Sequence, residues 1–274
     1  MKTVFKYIIV PGALVMIAWL VQGIFVKPSL TRDWARDQAL MPRIKFINDN
    51  QVKIRNIRNA HYRSTDDFDL RHYDKTYDLD ALETAWLVVE PFGKFGAAHT
   101  LMSFGFSNGD HVAISAEIRK EKGETFSPLK GLFRQYEMMY VVADESDVIR
   151  LRTNFRKDVM RLYPIKTTKS KIREVFVDML KRAERLAGAP EFYNTLLNNC
   201  TTSIARHARR YSDKPVPWWD YRYLLPSTVD AISYDLGLID TDLKLEAART
   251  HFMITERAQK ITELGHFSNR IREF

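Results

Sequence analysis

The chain has 274 residues, 45% of them apolar and 28% charged, with 11 Gly and 10 Pro, a composition that excludes a disordered, collagenous or low-complexity protein. Its 42 Lys+Arg against 34 Asp+Glu give a formal charge of +8. The basic residues are scattered among acids and form no long block. With no nucleic-acid reader motif in the sequence, the surplus reads as a solvated basic surface and no nucleic-acid partner is expected.

Tyr7 to Val26 form an uncharged run of twenty residues, interrupted by Pro11, Gly12, Gln22 and Gly23 and preceded by Lys2 and Lys6. At about 1.5 Å per residue such a run spans a bilayer core. Apolar residues continue through Ile24-Phe25-Val26, past the passable cleavage site at Val21-Gln22-Gly23. The run therefore predicts a retained single-pass anchor, a single N-terminal transmembrane helix, rather than a cleaved signal peptide. Lys27, Arg32, Arg36, Arg43 and Lys45 outnumber the two N-terminal lysines, yet long C-terminal domains are translocated regardless of such charges, which places residues 27–274 outside the cytoplasm. Cys200 is the sole cysteine, so no intrachain disulfide forms, and a lone thiol in an oxidising compartment is a liability unless buried or used.

Beyond the anchor, Leu30 to Ala39 reads as a short helix and Gln51 to Arg58 as a half-buried strand with Val52 and Ile54 on one face. Ser64 to Asp80 shows no clear period and reads as a loop. Ala85 to Val89 is a β-type run ended by Pro91 and by Gly93 and Gly96. The segments His99 to Phe106 and Asp110 to Ile118 flank Ser107-Asn108-Gly109, the strongest hairpin signal in the chain. Glu137 to Ala143 and Val159 to Tyr163 supply further strands, separated by a short basic helix or turn with Arg150, Arg152 and Arg156. From Lys169 to Leu186 the apolar spacing becomes helical, and Cys200 to Tyr211 follows an Asn-Asn entry as a second helix with Cys200 at its start. A turn at Pro215 to Trp219, a stop at Leu236-Gly237 and an amphipathic segment from Leu245 to Leu264 complete the chain. Strands first and helices after describe an α+β domain with an antiparallel sheet and a helical C-terminal part. The expected division is an anchor at 1–26, a linker with strand and loop at 27–84, a catalytic core at 85–211 and a helical extension at 212–274. No internal repeat, phosphate loop or metal-spaced Cys/His cluster is present, and neither metal nor cofactor is expected.

Cys200 is the candidate nucleophile, because amide N–H groups and the dipole at a helix start favour a thiolate. Among the histidines, His99 stands apart: it opens a strand directly after the small residues Gly96-Ala97-Ala98. If the hairpin uses a three-residue loop with Gly109 in the left-handed position, residue numbers across the ladder sum to 216 and His99 faces Glu117. A carboxylate there would orient the imidazole. A two-residue turn would slip the register and send Glu117 to the other face. The plainer alternatives are a strand-capping His99 and a buried, inert Cys200.

The stretches Arg55-Asn56-Ile57-Arg58, Ala98-His99-Thr100-Leu101-Met102-Ser103-Phe104, Tyr136-Glu137, Asp144-Glu145, Phe192 to Thr202 with its Asn-Asn-Cys-Thr-Thr, and Phe267-Ser268-Asn269-Arg270-Ile271-Arg272 resemble the bacterial Lnb N-terminal periplasmic domain family. The family's namesake is a lipoprotein N-acyltransferase with a catalytic cysteine and histidine, roles the resemblance maps onto Cys200 and His99. In its His-before-Cys order the chain is also similar to permuted papain-like enzymes of the NlpC and lecithin:retinol acyltransferase type, which implies a permuted papain-like fold and acyl-thioester chemistry. The resulting expectation is a thiol acyltransferase or acyl hydrolase in the bacterial inner membrane with its soluble domain in the periplasm. Its substrate would be a lipid or lipoprotein. Cys200 would attack, His99 would take the proton, Glu117 would hold the ring, and the N–H groups of Cys200 and Thr201 with an Asn198 or Asn199 amide would hold the oxyanion. A cell-wall peptidase or amidase, and a non-catalytic envelope scaffold, are the competing expectations.

Overall fold

The computed structural model of the chain describes residues 25–92, 96–211 and 226–274. Its centre is one mixed sheet made from β1 (Arg43–Phe46), β2 (Gln51–Arg58), β5 (His72–Asp78), β6 (Leu82–Pro91), β7 (Ala98–Phe106), β8 (His111–Arg119), β9 (Glu137–Ala143) and β10 (Arg161–Pro164). The spatial order is β1-β2-β9-β8-β7-β6-β10, with β5 also pairing β2. All pairings are antiparallel except β2 with β9. A small ribbon of β3 (His61–Tyr62) and β4 (Phe68–Asp69) stands apart. This is an α+β architecture with helices towards the C-terminus, as expected. The strands at 43–58 belong to the same sheet as those after Ala85, and the expected division at Ala85 falls inside β6.

The central strands β7 and β9 are buried on both faces, so both faces of the sheet are covered. On one face lies the long helix α3 (Lys169–Gly188), whose Phe176 packs 4.9 Å, ring to ring, from Phe104. Beside it lies α4 (Cys200–Tyr211), tied to the same face of β7 by Thr201 and Thr100 with their hydroxyls 3.3 Å apart. The other face is covered by α2 (Glu145–Arg150), which runs on as a π-helical stretch at Leu151–Arg156, and by the C-terminal helices α7 (Thr255–Gln259) and α8 (Phe267–Arg270). Two arginines mark that face: Arg152 reaches Glu117, and Arg272 reaches Ser103. A short helix, α1 (Pro128–Leu132), precedes β9, while α5 (Val229–Asp235) and α6 (Leu245–His251) lie between α4 and the C-terminus.

The β7–β8 hairpin turns through Ser107–Gly109, closed by Phe106 N–H to Asp110 O at 2.9 Å and Gly109 N–H to Phe106 O at 2.9 Å, with Gly109 at φ +85°. Leu101 pairs Ser115 and Gly105 pairs His111, which is the register with numbers summing to 216.

Three expectations are corrected. Ser64 to Asp80 is not a loop: β4 and β5 lie within it, and β5 sets buried Tyr77 between exposed Thr76 and Asp78. Leu30 to Ala39 is not a helix beyond a single 3₁₀ turn at Arg36–Gln38, because Trp34 pairs across to Glu121 and its indole donates to Leu30 O at 2.8 Å. Leu245 to Leu264 is broken into α6 and α7, since Phe252 O and Ile254 N–H, each at 2.9 Å, bond to Leu162 and Met160 at the β10 edge. Among the described residues no helix is long and apolar enough to cross a membrane. The expected anchor and the Pro215 to Trp219 turn lie outside the described residues, apart from Phe25 and Val26.

Candidate functional site

The entrance to α4 is held by its own asparagines. Asn199 caps the helix: its Oδ1 accepts from Thr202 N–H at 2.8 Å while Thr202 Oγ1 accepts from Asn199 N–H at 2.9 Å, a reciprocal capping box. Asn199 Nδ2 donates to Thr195 O at 2.7 Å, and Asn198 Nδ2 donates to Phe192 O at 2.9 Å. Both side-chain amides expected at an oxyanion are thus engaged in shaping the loop. The backbone N–H groups of Cys200 and Thr201, in the first turn of the helix, have no intrahelical acceptor and are the donors left to face a developing negative charge.

Cys200 is buried, with its Sγ 3.9 Å from Ala98 O and 3.9 Å from Thr201 Oγ1. The thiol therefore sits against the main chain of β7 one residue before His99. The imidazole turns to the other face of that strand, as the alternation of side chains requires. There its Nε2 lies 2.7 Å from Ser115 Oγ and 3.7 Å from Glu117 Oε1. The structure brings His99 and Glu117 together and Cys200 to the same strand; among the described residues His99 and Cys200 share no hydrogen bond.

Around the ring is a buried ionic layer. Glu90 is the partner of His99 across β6, and Arg152 bridges the two carboxylates, donating from Nε to Glu90 at 2.7 Å and from Nη2 to Glu117 at 3.1 Å. Burial, with the positive charge of Arg152 adding to it, pushes the His99 pKa down to about 3 against the opposing pull of Glu117, so the imidazole is neutral across the physiological range. Burial alone would raise Glu117, but Arg152, His99 and Arg58 outweigh it and hold the carboxyl well below the usual range. Burial pushes Glu90 up to about 7 in spite of Arg152.

Ser115, Arg152 and Glu90 are the residues sequence reasoning missed. Ser115 was within reach of it: the register that sets Glu117 opposite His99 puts Ser115 on the same face, diagonal to the ring. Arg152 carries no such signal, because it arrives from a helix that pairs with nothing nearby in sequence. His207, on α4, is a core residue, with Nδ1 2.6 Å from Asp178 Oδ2 and Nε2 2.8 Å from Tyr140 OH. Among the described residues no group of three or more His, Cys, Asp or Glu side chains converges as a metal site.

An α+β sheet domain with a buried cysteine at a helix start, packed on the strand that carries a histidine set among carboxylates, is the class that fold and site define. Residues 69–227 match the Lnb N-terminal periplasmic domain family, and the chain belongs to that family. The match covers β5 to β10 and both long helices, including His99, Ser115, Glu117, Arg152 and Cys200. Comparison with curated proteins and with solved structures gives no match. A periplasmic family domain accords with an extracytoplasmic location.

Proposed function

We propose that the chain is a thiol acyltransferase or acyl hydrolase of permuted papain-like design, anchored in the bacterial inner membrane by residues 1–26 and acting in the periplasm. The observation that carries this reading is the placement of Cys200 as first residue of α4 against the start of β7, with its thiol on the carbonyl of Ala98, the residue before His99. Cys200 Sγ attacks the carbonyl carbon of an ester or amide while the thiol proton passes to His99. With Nε2 taken up by Ser115, Nδ1 is the ring nitrogen left to receive it; thiol and imidazole lie on opposite faces of β7, so the transfer passes around the start of the strand at Ala98. The N–H groups of Cys200 and Thr201 hold the oxyanion, the bond to the leaving group breaks, and the leaving group departs with the proton from the imidazolium. An amine acceptor or water then resolves the thioester by the same steps in reverse order.

An apolar cavity of about 350 Å³ runs beside α4, lined by Leu87, Met102, Ile172, Met179, Ile204 and Leu236, and begins one helical turn beyond Cys200. Its chemistry suits a hydrocarbon chain and favours a lipid-linked substrate over a cell-wall peptide. A second reading, a non-catalytic envelope scaffold, is favoured by the bond that His99 makes to Ser115 rather than to Cys200. Lipid and lipoprotein mass spectrometry of cells carrying Cys200→Ala separates the two. The catalytic reading expects a lipid or lipoprotein species to change in acylation, whereas an unchanged profile with full complementation of a deletion phenotype would leave the scaffold.

A further inference from the structure

Large apolar side chains exposed to solvent are concentrated beside the entrance to α4. Phe126, Leu129 and Phe133 lie in and around α1, and Leu196 and Leu197 on the turn that leads to Cys200; Leu129 is 68% exposed and Leu197 71%. The two segments form one patch. Thr195 Oγ1 donates to Pro128 O at 2.7 Å, and at Gly131 a Cβ would fall 2.4 Å from Thr195 Oγ1 and 3.0 Å from the Tyr193 ring, so only glycine allows this approach. The leucines are held outward by a tied backbone. Asn194 and Asn198 exchange two main-chain bonds at 3.1 and 3.0 Å, and Asn194 Oδ1 accepts from the N–H groups of both Leu196 and Leu197 at 3.0 Å. A loop fixed this way cannot fold its leucines inwards, and the cost of keeping them in water is removed only by a partner.

The rim and the neighbouring chain specify the partner. Lys130 lies within α1 and Arg134 follows it, and Arg206 lies against the leucine turn, 3.4 Å from Leu197 O. The nearby acids are engaged: Glu124 accepts from Glu121 N–H at 2.9 Å, and Glu191 takes a bidentate bond from Arg182 at 2.5 and 2.6 Å. In sequence the domain follows the uncharged run Tyr7 to Val26, and its first described residues reach β9. Ser29 N–H donates to Glu137 Oε1 at 3.0 Å, and the preceding residue, Tyr136, has its hydroxyl on Thr125 O at 2.7 Å and accepts from Ser127 N–H at 3.0 Å. Protruding apolar side chains with cations among them, in a domain that follows a twenty-residue uncharged run in sequence, fit a bilayer of anionic lipids, with the leucines among acyl chains and the cations at headgroup level. We infer that α1 and the turn at 194–198 form a membrane-seating surface, which sets the start of α4 at the lipid interface.

The inference concerns lipid contact and does not rest on the thiol chemistry, so each stands or falls separately. The test uses the full chain carrying Cys200→Ser, with one environment-sensitive fluorophore attached through Leu129→Cys, Leu197→Cys or, as a control away from the patch, Leu243→Cys. The proteins are reconstituted into vesicles of phosphatidylcholine and phosphatidylglycerol at 3:1, with and without spin-labelled acyl chains. Probes at 129 and 197 are expected to be quenched at least twofold more than the probe at 243, and to lose that excess when Lys130→Glu and Arg206→Glu are combined. Quenching at 129 and 197 no greater than at 243 would overturn the inference, whether those probes remain in water or are covered by a second protein copy; so would failure of the chain to associate with the vesicles.

Discussion

At His99 the surroundings suppress the charged form, and this has a consequence for stability as well as chemistry. Its folded pKa near 3 lies below the unfolded value of about 6.5, so between those values the unfolded chain binds more protons than the folded one. Stability contributed by this group is therefore complete above about pH 6.5 and falls as pH drops towards 3, by on the order of 1 kcal/mol per pH unit. His99→Gln removes the titration, and its melting temperature should decline less than that of the parent between pH 6.5 and 4; equal slopes would place the acid sensitivity elsewhere. In the proposed mechanism the Ser115 bond sets which nitrogen acts. Ser115→Ala should lower kcat about 10-fold with an unchanged KM while leaving the fold intact. His99→Ala should cost on the order of 100-fold to 10,000-fold, the usual worth of acid–base help, and activity retained in His99→Ala would exclude it as the base.

Among the elements, α4 depends on its cap. Asn199→Ala deletes two side-chain bonds that shape its first turn, and should cost roughly 1 kcal/mol, or about 2–4 °C in melting temperature. A larger fall in thiol reactivity than in stability would show that the cap also places Cys200. This helix start and the β7–β8 hairpin were the most legible parts of the chain, because each is written in local chemistry: paired asparagines before a helical period, and Gly109 where a left-handed residue is required. The pairing of His99 with Glu117 followed from the turn alone. β5 was not legible, since the charged Lys75 lies on the same face as Tyr73 and Tyr77 and breaks the alternation that they carry. Nor was the Arg152 bridge, whose partners Glu90 and Glu117 are distant in sequence and meet it only through the tertiary fold.

In the molecule as a whole, the face of the sheet away from α3 and α4 is fastened by buried ion pairs. Arg58 holds Asp147 through two bonds of 2.9 Å, and Asp147 also accepts from Ala60 N–H at 2.8 Å. Arg272 holds Glu145 at 2.6 and 2.8 Å and fixes the C-terminal helices over β7 and β8. Desolvated pairs of this kind are costly to break from one side. Arg58→Met, which strands Asp147 in the interior, should lose about 3–5 kcal/mol, and adding Asp147→Leu should restore part of it; a double variant no more stable than the single would argue against the pair as the unit. Arg272 also reaches Ser103 on the strand that carries His99, and the proposed thiol chemistry would draw on such preorganisation. The central claim is that Cys200 becomes acylated with help from His99. Intact-mass and peptide mass spectrometry after exposure of the membrane-reconstituted protein to an activated carboxylic ester should find one acyl group, located on Cys200, absent in Cys200→Ala and formed at least 100-fold more slowly in His99→Ala. No adduct on Cys200, or equal rates with and without His99, would contradict it.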